Sequence, residues 1–277
     1  MTKVCVITGG GSGMGLEVAK LMGDAKVVIT GRTVAKLKGA IEEIKAAGVD
    51  AVAFACDASD PASVDALVEF ACSLGTVKTV IHAAGVSPHM GDGAYIWKIN
   101  TCGTMNVDEK FAAVMDEGGV ILNVSSMSAY MLPAERTPYA LYEASAYGTE
   151  ALEAGFAQVL AQVPAEMQPG MAYTMSKNFV IWYTKRAAVK YGPKGIRVVS
   201  ISPGTFTTPM GKLEGDEAAK FGLSGAMGRL GEPVEIARMM AFMVSDECSY
   251  LDGVDILYDG GVIAATEVRA AQATAQQ

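Results

Sequence analysis

The sequence is poor in the residues that hold metals. Only two histidines, His82 and His89, occur among 277 residues. Neither has neighbours at metal-ligand spacing, so no metal is expected. Cysteine is equally sparse, five scattered residues with no Cys-x-x-Cys pair. An odd, dispersed set argues against a disulfide framework and for free thiols in a reducing compartment, here expected to be the cytoplasm. No apolar run approaches the ~18 residues that span a bilayer, and the first strand-like run meets glycines too early to hold a secretory core. Basic residues are outnumbered, 22 against 30 acidic, for a formal charge of −8. That balance excludes a nucleic acid gripped through its phosphates.

What is present is an alternation. Short β-branched runs at Lys3–Thr8, Lys26–Thr30, Ala51–Cys56, Lys78–Ala83, Val120–Ser125, Ile196–Ile201 and Val254–Tyr258 read as strands. Several are apolar almost throughout, as parallel strands covered on both faces must be. Helical character occupies Gly13–Met22, Val34–Ala47, Pro61–Ser73, Thr101–Met115, Ala172–Tyr191 and Pro233–Ser245. Asp60-Pro61 places a cap before a proline at the first helical position. Strand-helix alternation over this length predicts one α/β domain, residues 1–277, built as a doubly wound, mostly parallel seven-stranded sheet of Rossmann type. Residues 127–170 break the rhythm and read as a partly helical insertion. The Ala/Gln-rich tail, residues 264–277, is expected to fray.

The turn after the first strand reads Thr8-Gly9-Gly10-Gly11-Ser12-Gly13-Met14-Gly15 and opens the first helix. In that context glycines permit a positive-φ turn and let the backbone approach a pyrophosphate, while the helix start offers unpaired N–H groups. A dinucleotide is the ligand such a turn fits, against the plainer possibility of a flexible glycine loop. Reduction of a ketone further needs a proton donor beside the oxygen. Tyr173-Thr174-Met175-Ser176-Lys177 sets a lysine one helical turn after a tyrosine, where its charge favours phenolate. It is the only Tyr-x-x-x-Lys among ten tyrosines.

The spacing Thr-Gly-x3-Gly-x-Gly and the Tyr-x-x-x-Lys pair resemble the short-chain dehydrogenase/reductase family in its compact form, along essentially the whole chain. The resemblance implies hydride transfer between a nicotinamide and an alcohol or ketone carbon, with Asn100, Ser126, Tyr173 and Lys177 as the catalytic set. It implies a cofactor pocket formed by Gly9, Ser12, Gly13, Met14, Gly15, Arg32, Asp57, Ala58, Ala83, Ala84, Gly85, Tyr173, Lys177, Pro203, Gly204, Phe206 and Thr208. Within this pattern Gly31 stands where users of NAD(H) usually carry an acidic residue, and Arg32 follows, which favours NADP(H) over NAD(H). His82 replaces the usual asparagine and is expected to be structural.

Two departures are informative. Ser126 and Tyr173 lie 47 positions apart, where most members have a little over a dozen, and the stretch from Gly85 to Asn100 is short. Both resemble a bacterial subgroup typified by 3α-hydroxysteroid dehydrogenase/carbonyl reductase, which implies a bulky hydrophobic hydroxysteroid or oxo-steroid as substrate. The alternatives are a carbonyl reductase of small ketones and a non-catalytic NADP-sensing protein; an enoyl reductase of this fold would place its lysine further from the tyrosine. The segments expected at the mouth, Val86–Met90, Ser128–Leu132 and Thr205–Met227, are largely uncharged and rich in Met, Leu, Phe and Tyr, which suits such a substrate. The resemblance also implies a homo-oligomer, a dimer rather than a tetramer, because the insertion adjoins helices that members use to associate.

Overall fold

The computed structural model describes residues 2–275. Seven parallel strands form one sheet in the order β3-β2-β1-β4-β5-β6-β7. They are β1 (Lys3–Thr8), β2 (Lys26–Gly31), β3 (Ala51–Ala55), β4 (Thr76–His82), β5 (Val120–Val124), β6 (Arg197–Pro203) and β7 (Asp255–Tyr258). The expected doubly wound architecture is therefore the one observed. Its two cores follow from the period-2 alternation of strand side chains. In β1, Val4 and Val6 enter the core on one face of the sheet, while Cys5 and Ile7 enter the core on the other.

Helices α1 (Gly13–Ala19), α2 (Val34–Ala46) and α3 (Pro61–Leu74) alternate with the first four strands. Asp60 caps α3 as expected, accepting from the Ala62 N–H at 3.0 Å. The chain winds outward from β1 to β2 and β3, then returns to place β4 on the other side of β1. Loops at the carboxyl ends of β1 and β4 therefore diverge and open a cleft, the place where ligands bind in such sheets.

After β4 the chain uses α4 (Gly93–Trp97), a π-helical turn at Lys98–Cys102, and α5 (Gly103–Val114). The sequence reading began this helix at Thr101; the structure carries it back to Gly93, with the π-turn at the join. Helix α8 (Gln168–Tyr191) likewise starts before Ala172.

The 127–170 insertion contains α6 (Tyr139–Glu143) and α7 (Thr149–Leu160) joined by short 3₁₀ turns. It is held by buried aromatics rather than laid over the surface. Trp97 of α4 stacks on Phe156 of α7 with centroids 4.0 Å apart, and Tyr142 of α6 meets Phe179 of α8 edge-on at 5.3 Å. The Tyr142 hydroxyl donates to the Met175 carbonyl at 2.9 Å. Glu143 pairs with Arg186 on α8.

Beyond β6 come α9 (Pro209–Leu213), α10 (Gly215–Leu223), α11 (Pro233–Val244) and α12 (Val262–Ala275). The last of these corrects the expectation of a frayed tail as far as Ala275; residues 276–277 lie outside the described residues. Asp259 accepts from the N–H groups of Gly261 and Ile263 at 2.8 Å each, Val262 and Ile263 are buried, and Arg269 donates to the Ser224 carbonyl. With its start anchored, an Ala/Gln-rich sequence propagates as helix. No helix among the described residues is long and apolar enough to cross a membrane.

Candidate active site

The glycine turn is built from close backbone contacts. Gly9 has φ +69° and Gly13 +58°, the left-handed region that disfavours side chains. A Cβ on Gly9 would lie 2.7 Å from the Ala83 carbonyl oxygen, and one on Gly15 would lie 2.6 Å from the Gly9 oxygen. The turn thus brings the ends of β1 and β4 together. Gly9→Ala should force that junction apart and weaken NADPH binding about tenfold, the size of a left-handed strain of ~1–2 kcal/mol. Fluorescence titration checks this; an unchanged dissociation constant refutes it.

The cleft above this turn is lined by Thr8, Gly9, Gly11, Ser12, Gly13, Met14, Gly15, Thr30, Gly31, Arg32, Thr33, Lys36, Asp57, Ala58, Ala83, Ala84, Gly85, Val86, Ile99, Thr208 and Met210, among others. Ser12 spends no side-chain hydrogen bond on capping α1. Asp57 accepts from the Ser59 backbone and hydroxyl at 2.9 and 2.8 Å, which fixes its carboxylate at the cleft. The residues present fit a dinucleotide: an all-backbone phosphate cradle at one end of the cleft and a polar rim at the other.

Five residues expected at the cofactor do not line this cleft: Tyr173 and Lys177, which lie beyond Gly85, and Pro203, Gly204 and Phe206. Phe206 turns its ring away onto Gly231, where a Cβ would be only 2.3 Å from it, and stacks on Tyr258 at 6.3 Å. Pro203 ends β6 and Gly204 packs its Cα against Asp259. Thr208 does reach the cleft, and it caps α9 by accepting from the Gly211 N–H. Lys36 was missed: a second cation beside Arg32 is brought there by the first turn of α2, one helical turn on from Arg32.

His82 is structural, as expected. Its Nδ1 meets the Thr8 hydroxyl at 2.8 Å, and that hydroxyl accepts from the Ala84 N–H at 3.1 Å. The hydroxyl keeps a proton and a second lone pair, so it bonds Nδ1 in either imidazole tautomer. Burial and the nearby Lys177 charge push the imidazole down to about 3, so it is neutral. The ring ties the turn after β4 to the end of β1.

The four catalytic candidates do not line the cleft themselves but gather beside it, beyond Gly85. Ser126 follows β5 and accepts from the Ser128 N–H at 3.2 Å; its hydroxyl lies close enough to the Tyr173 phenol to favour the phenolate. Tyr173 and Lys177 share one face of α8, with the Lys177 Nζ 5.9 Å from the tyrosine ring centre. Lys177 is buried and donates to the Val124 carbonyl at 3.0 Å, while the preceding Ser125 donates to the Lys177 carbonyl at 2.7 Å. Together these bonds fix α8 against the end of β5. Asn100 sits in the π-turn, completely buried, with both ends of its amide on the Val86 backbone at 3.0 and 3.1 Å. Its Nδ2 also donates to the Ser176 hydroxyl. A Cβ on Gly85 would lie 3.2 Å from both the Asn100 Oδ1 and the Lys177 Nζ. Gly85, a lining residue of the cleft, is thus the point where cofactor site and catalytic set meet.

Burial dominates the electrostatics. It pushes the Tyr173 phenol up to about 12, against a downward pull from Ser126, and the Glu214 charge adds to the rise. Burial pushes Lys177 down to about 8, opposed by Glu214. Glu214, at the α9–α10 junction, is itself half-buried, which raises its carboxyl while His89 and Lys177 draw it down. The mouth is therefore less neutral than its Met- and Leu-rich sequence suggests. Among the described residues no group of three or more His, Cys, Asp or Glu is placed to hold a metal.

Known proteins carry the same signature. Residues 3–164 match the family model described as short chain dehydrogenase, and residues 156–263 match one described as Enoyl-(Acyl carrier protein) reductase. A cyclohexanol dehydrogenase of an Acinetobacter species is 31% identical over 262 residues, covering 93% of this chain and 94% of that one. A 3-alpha-hydroxysteroid dehydrogenase/carbonyl reductase of Comamonas testosteroni is 28% identical over 267 residues, covering 94% and 96%. The crystal structure of a short chain dehydrogenase from Burkholderia cenocepacia in complex with NADP has a TM-score of 0.74 at 24% identity, over 94% of this chain and 97% of that one. With the family model matching more than half its length, and the glycine turn and sheet order in place, the chain belongs to the short-chain dehydrogenase/reductase family and is an NAD(P)-dependent oxidoreductase.

Proposed function

We propose that this enzyme interconverts a secondary alcohol and a ketone, with Tyr173 as general acid/base and NADP(H) as cofactor. One observation carries the reading: a half-buried tyrosine whose phenol neighbours Ser126, on the helix face that also carries Lys177, beside a dinucleotide cleft. The nicotinamide, when bound, supplies or accepts the hydride. Ser126 and Tyr173 together hold the substrate oxygen, and Tyr173, a phenol protonated at neutral pH, gives that oxygen its proton during reduction. Lys177 places a positive charge beside the phenol and stabilises phenolate when the reaction runs toward the ketone. Asn100 positions the strand-end loop through Val86 and keeps its amide beside Lys177. For the cofactor, Gly31 leaves no carboxylate at the end of β2 to repel a 2′-phosphate, and Arg32 and Lys36 both line the cleft there.

The substrate is a hydrophobic, ring-borne alcohol or ketone, and we propose one of hydroxysteroid or oxo-steroid size. Supporting this are the methionines at the mouth, Met90 and Met210, whose flexible side chains adapt to apolar shapes. Relatives named for cyclohexanol, for a chlorinated cyclohexadienediol and for a 3α-hydroxysteroid share the same chemistry, a secondary alcohol on an alicyclic ring. The first two names favour a second reading, a dehydrogenase/reductase of single-ring substrates. The enzyme is further proposed to work as a homodimer in the cytoplasm, since the insertion covers part of the outer side of α8. Absorbance at the nicotinamide band, with NADPH and NADH offered separately to oxo-steroids and cyclohexanone, tests the reading. NADPH oxidation with oxo-steroids at the higher kcat/KM is the expected result. A preference for cyclohexanone selects the second reading, and no turnover with any ketone despite cofactor binding leaves a nucleotide-sensing protein in its place.

A further inference from the structure

The adenosine end of the cleft contains a contact that neither the glycine turn nor the catalytic set requires. Arg32, just past the end of β2, donates through Nη1 to the phenol oxygen of Tyr95 on α4. Its guanidinium carbon lies 5.8 Å from the centre of the Tyr95 ring, within range of a cation–π attraction. The bond joins positions 32 and 95, two different crossovers on opposite sides of β1. It ties α4 to the loop that follows β2.

Tyr95 is held in place from three directions. Its N–H is bonded to the Asp92 carboxylate at 2.8 Å at the start of α4. Its ring lies so close to Gly91 that a Cβ there would stand 2.3 Å from ring carbon Cδ1. The rest of the ring packs half-buried against the core. Arg32, by contrast, is exposed and has no carboxylate partner among the described residues, and neither has Lys36. The two cations face a cleft with their charge unneutralised, and one of them is steered by a rigid phenol that takes a single N–H and leaves the others to donate.

We infer that Tyr95 is a specificity-determining residue for the cofactor: it holds the Arg32 guanidinium at the adenosine end of the cleft, poised to bind the 2′-phosphate of NADP(H). The inference rests on the NADP(H) reading given above and adds the residue that makes Arg32 effective. An exposed arginine otherwise loses rotamer freedom when it clamps a phosphate, and pre-orientation removes part of that cost.

Calorimetric titration of wild type, Tyr95→Phe, Arg32→Ala and the double variant tests it, with NADPH, NADH and adenosine 2′,5′-bisphosphate as ligands. Tyr95→Phe keeps the ring and removes only the hydroxyl. It should weaken NADPH and the bisphosphate about fivefold to tenfold, the size of one ordinary net hydrogen bond, and change NADH less than about twofold by the same reasoning. In the Arg32→Ala background the same change should have no effect on NADPH. A wild-type preference for NADPH that Tyr95→Phe leaves intact overturns the inference alone. So does equal weakening of NADPH and NADH, or an effect that persists without Arg32. A wild type that binds NADH as tightly as NADPH overturns the cofactor reading and the inference with it.

Discussion

Tyr173→Phe is expected to lower kcat/KM for ketone reduction by about 10³- to 10⁴-fold, the upper part of what a positioned proton donor contributes. The substitution removes one oxygen and leaves the ring, which packs half-buried against the core beside Lys177. The remaining parts of the site stay assembled, because Lys177 is fixed through Val124 and Ser125 rather than through the phenol. NADPH affinity should therefore change by less than about threefold, a fraction of one hydrogen bond. The residual rate would come from hydride delivery to a carbonyl held by Ser126 alone. Steady-state kinetics beside a binding titration separates the outcomes. A loss smaller than tenfold removes Tyr173 from the proton-donor role, and a loss matched by weaker NADPH binding makes it a cofactor residue instead.

Much of this was legible because the chemistry is carried by local patterns. The glycine turn, the Tyr173–Lys177 pair and the strand-end Ser126 each occupy one short segment, and their order among the strands fixes where the sheet will place them. What escaped the sequence depends on contacts between distant positions. Lys36 joins Arg32 only once α2 has been wound onto the end of β2. Tyr95 meets Arg32 only in the folded chain, across 63 positions of sequence. Phe206 matched a family pattern, yet its ring direction is decided by Gly231 and Tyr258, which meet it only in the folded chain. Glu214 belongs to the Thr205–Met227 segment expected at the mouth as largely uncharged, and its charge near Lys177 depends on how α9 and α10 pack. The tail misled for a different reason: its composition suits both a frayed end and a helix, and the anchor at Asp259 decides between them.

The insertion shows how a departure from the family pattern is absorbed. Residues 132–167 line none of the cofactor cleft. Instead Tyr142, Leu152, Phe156 and Leu160 extend the hydrophobic core outward beyond α8. A long helix that must hold Tyr173 and Lys177 in register gains a second packed flank, with Trp97 of α4 as the shared contact. Since α4 also carries Tyr95, the insertion, the catalytic helix and the adenosine rim rest on one aromatic cluster.

The same flank of the sheet holds a carboxyl group that should set the pH dependence of stability. Asp108 of α5 is completely buried. One oxygen accepts from the Asn123 Nδ2 at 2.8 Å; the other, like the Asn123 carbonyl oxygen, has no partner. Two unpartnered acceptors on neighbouring groups are satisfied together if Asp108 carries a proton and donates it, which makes a neutral acid–amide pair. Burial pushes this carboxyl from its ordinary 3.8 up to about 7, partly offset by the Asn123 hydrogen bond, and the Glu109 charge adds to the rise. A group that binds its proton more tightly when folded contributes stability below its unfolded pKa and loses it as pH rises. The window here runs from about 4 to about 7, and the full loss is on the order of 4 kcal/mol for a shift of this size. Asp108→Asn cannot ionise and should escape that loss. Its stability relative to wild type should grow by about 2–3 kcal/mol between pH 5 and pH 8, then level off as ionisation of wild-type Asp108 is completed. Urea unfolding at a series of pH values measures the gap directly. A difference that stays flat, or narrows with rising pH, would mean that Asp108 is ionised in the folded protein throughout and that its two unpartnered oxygens are satisfied in some other way.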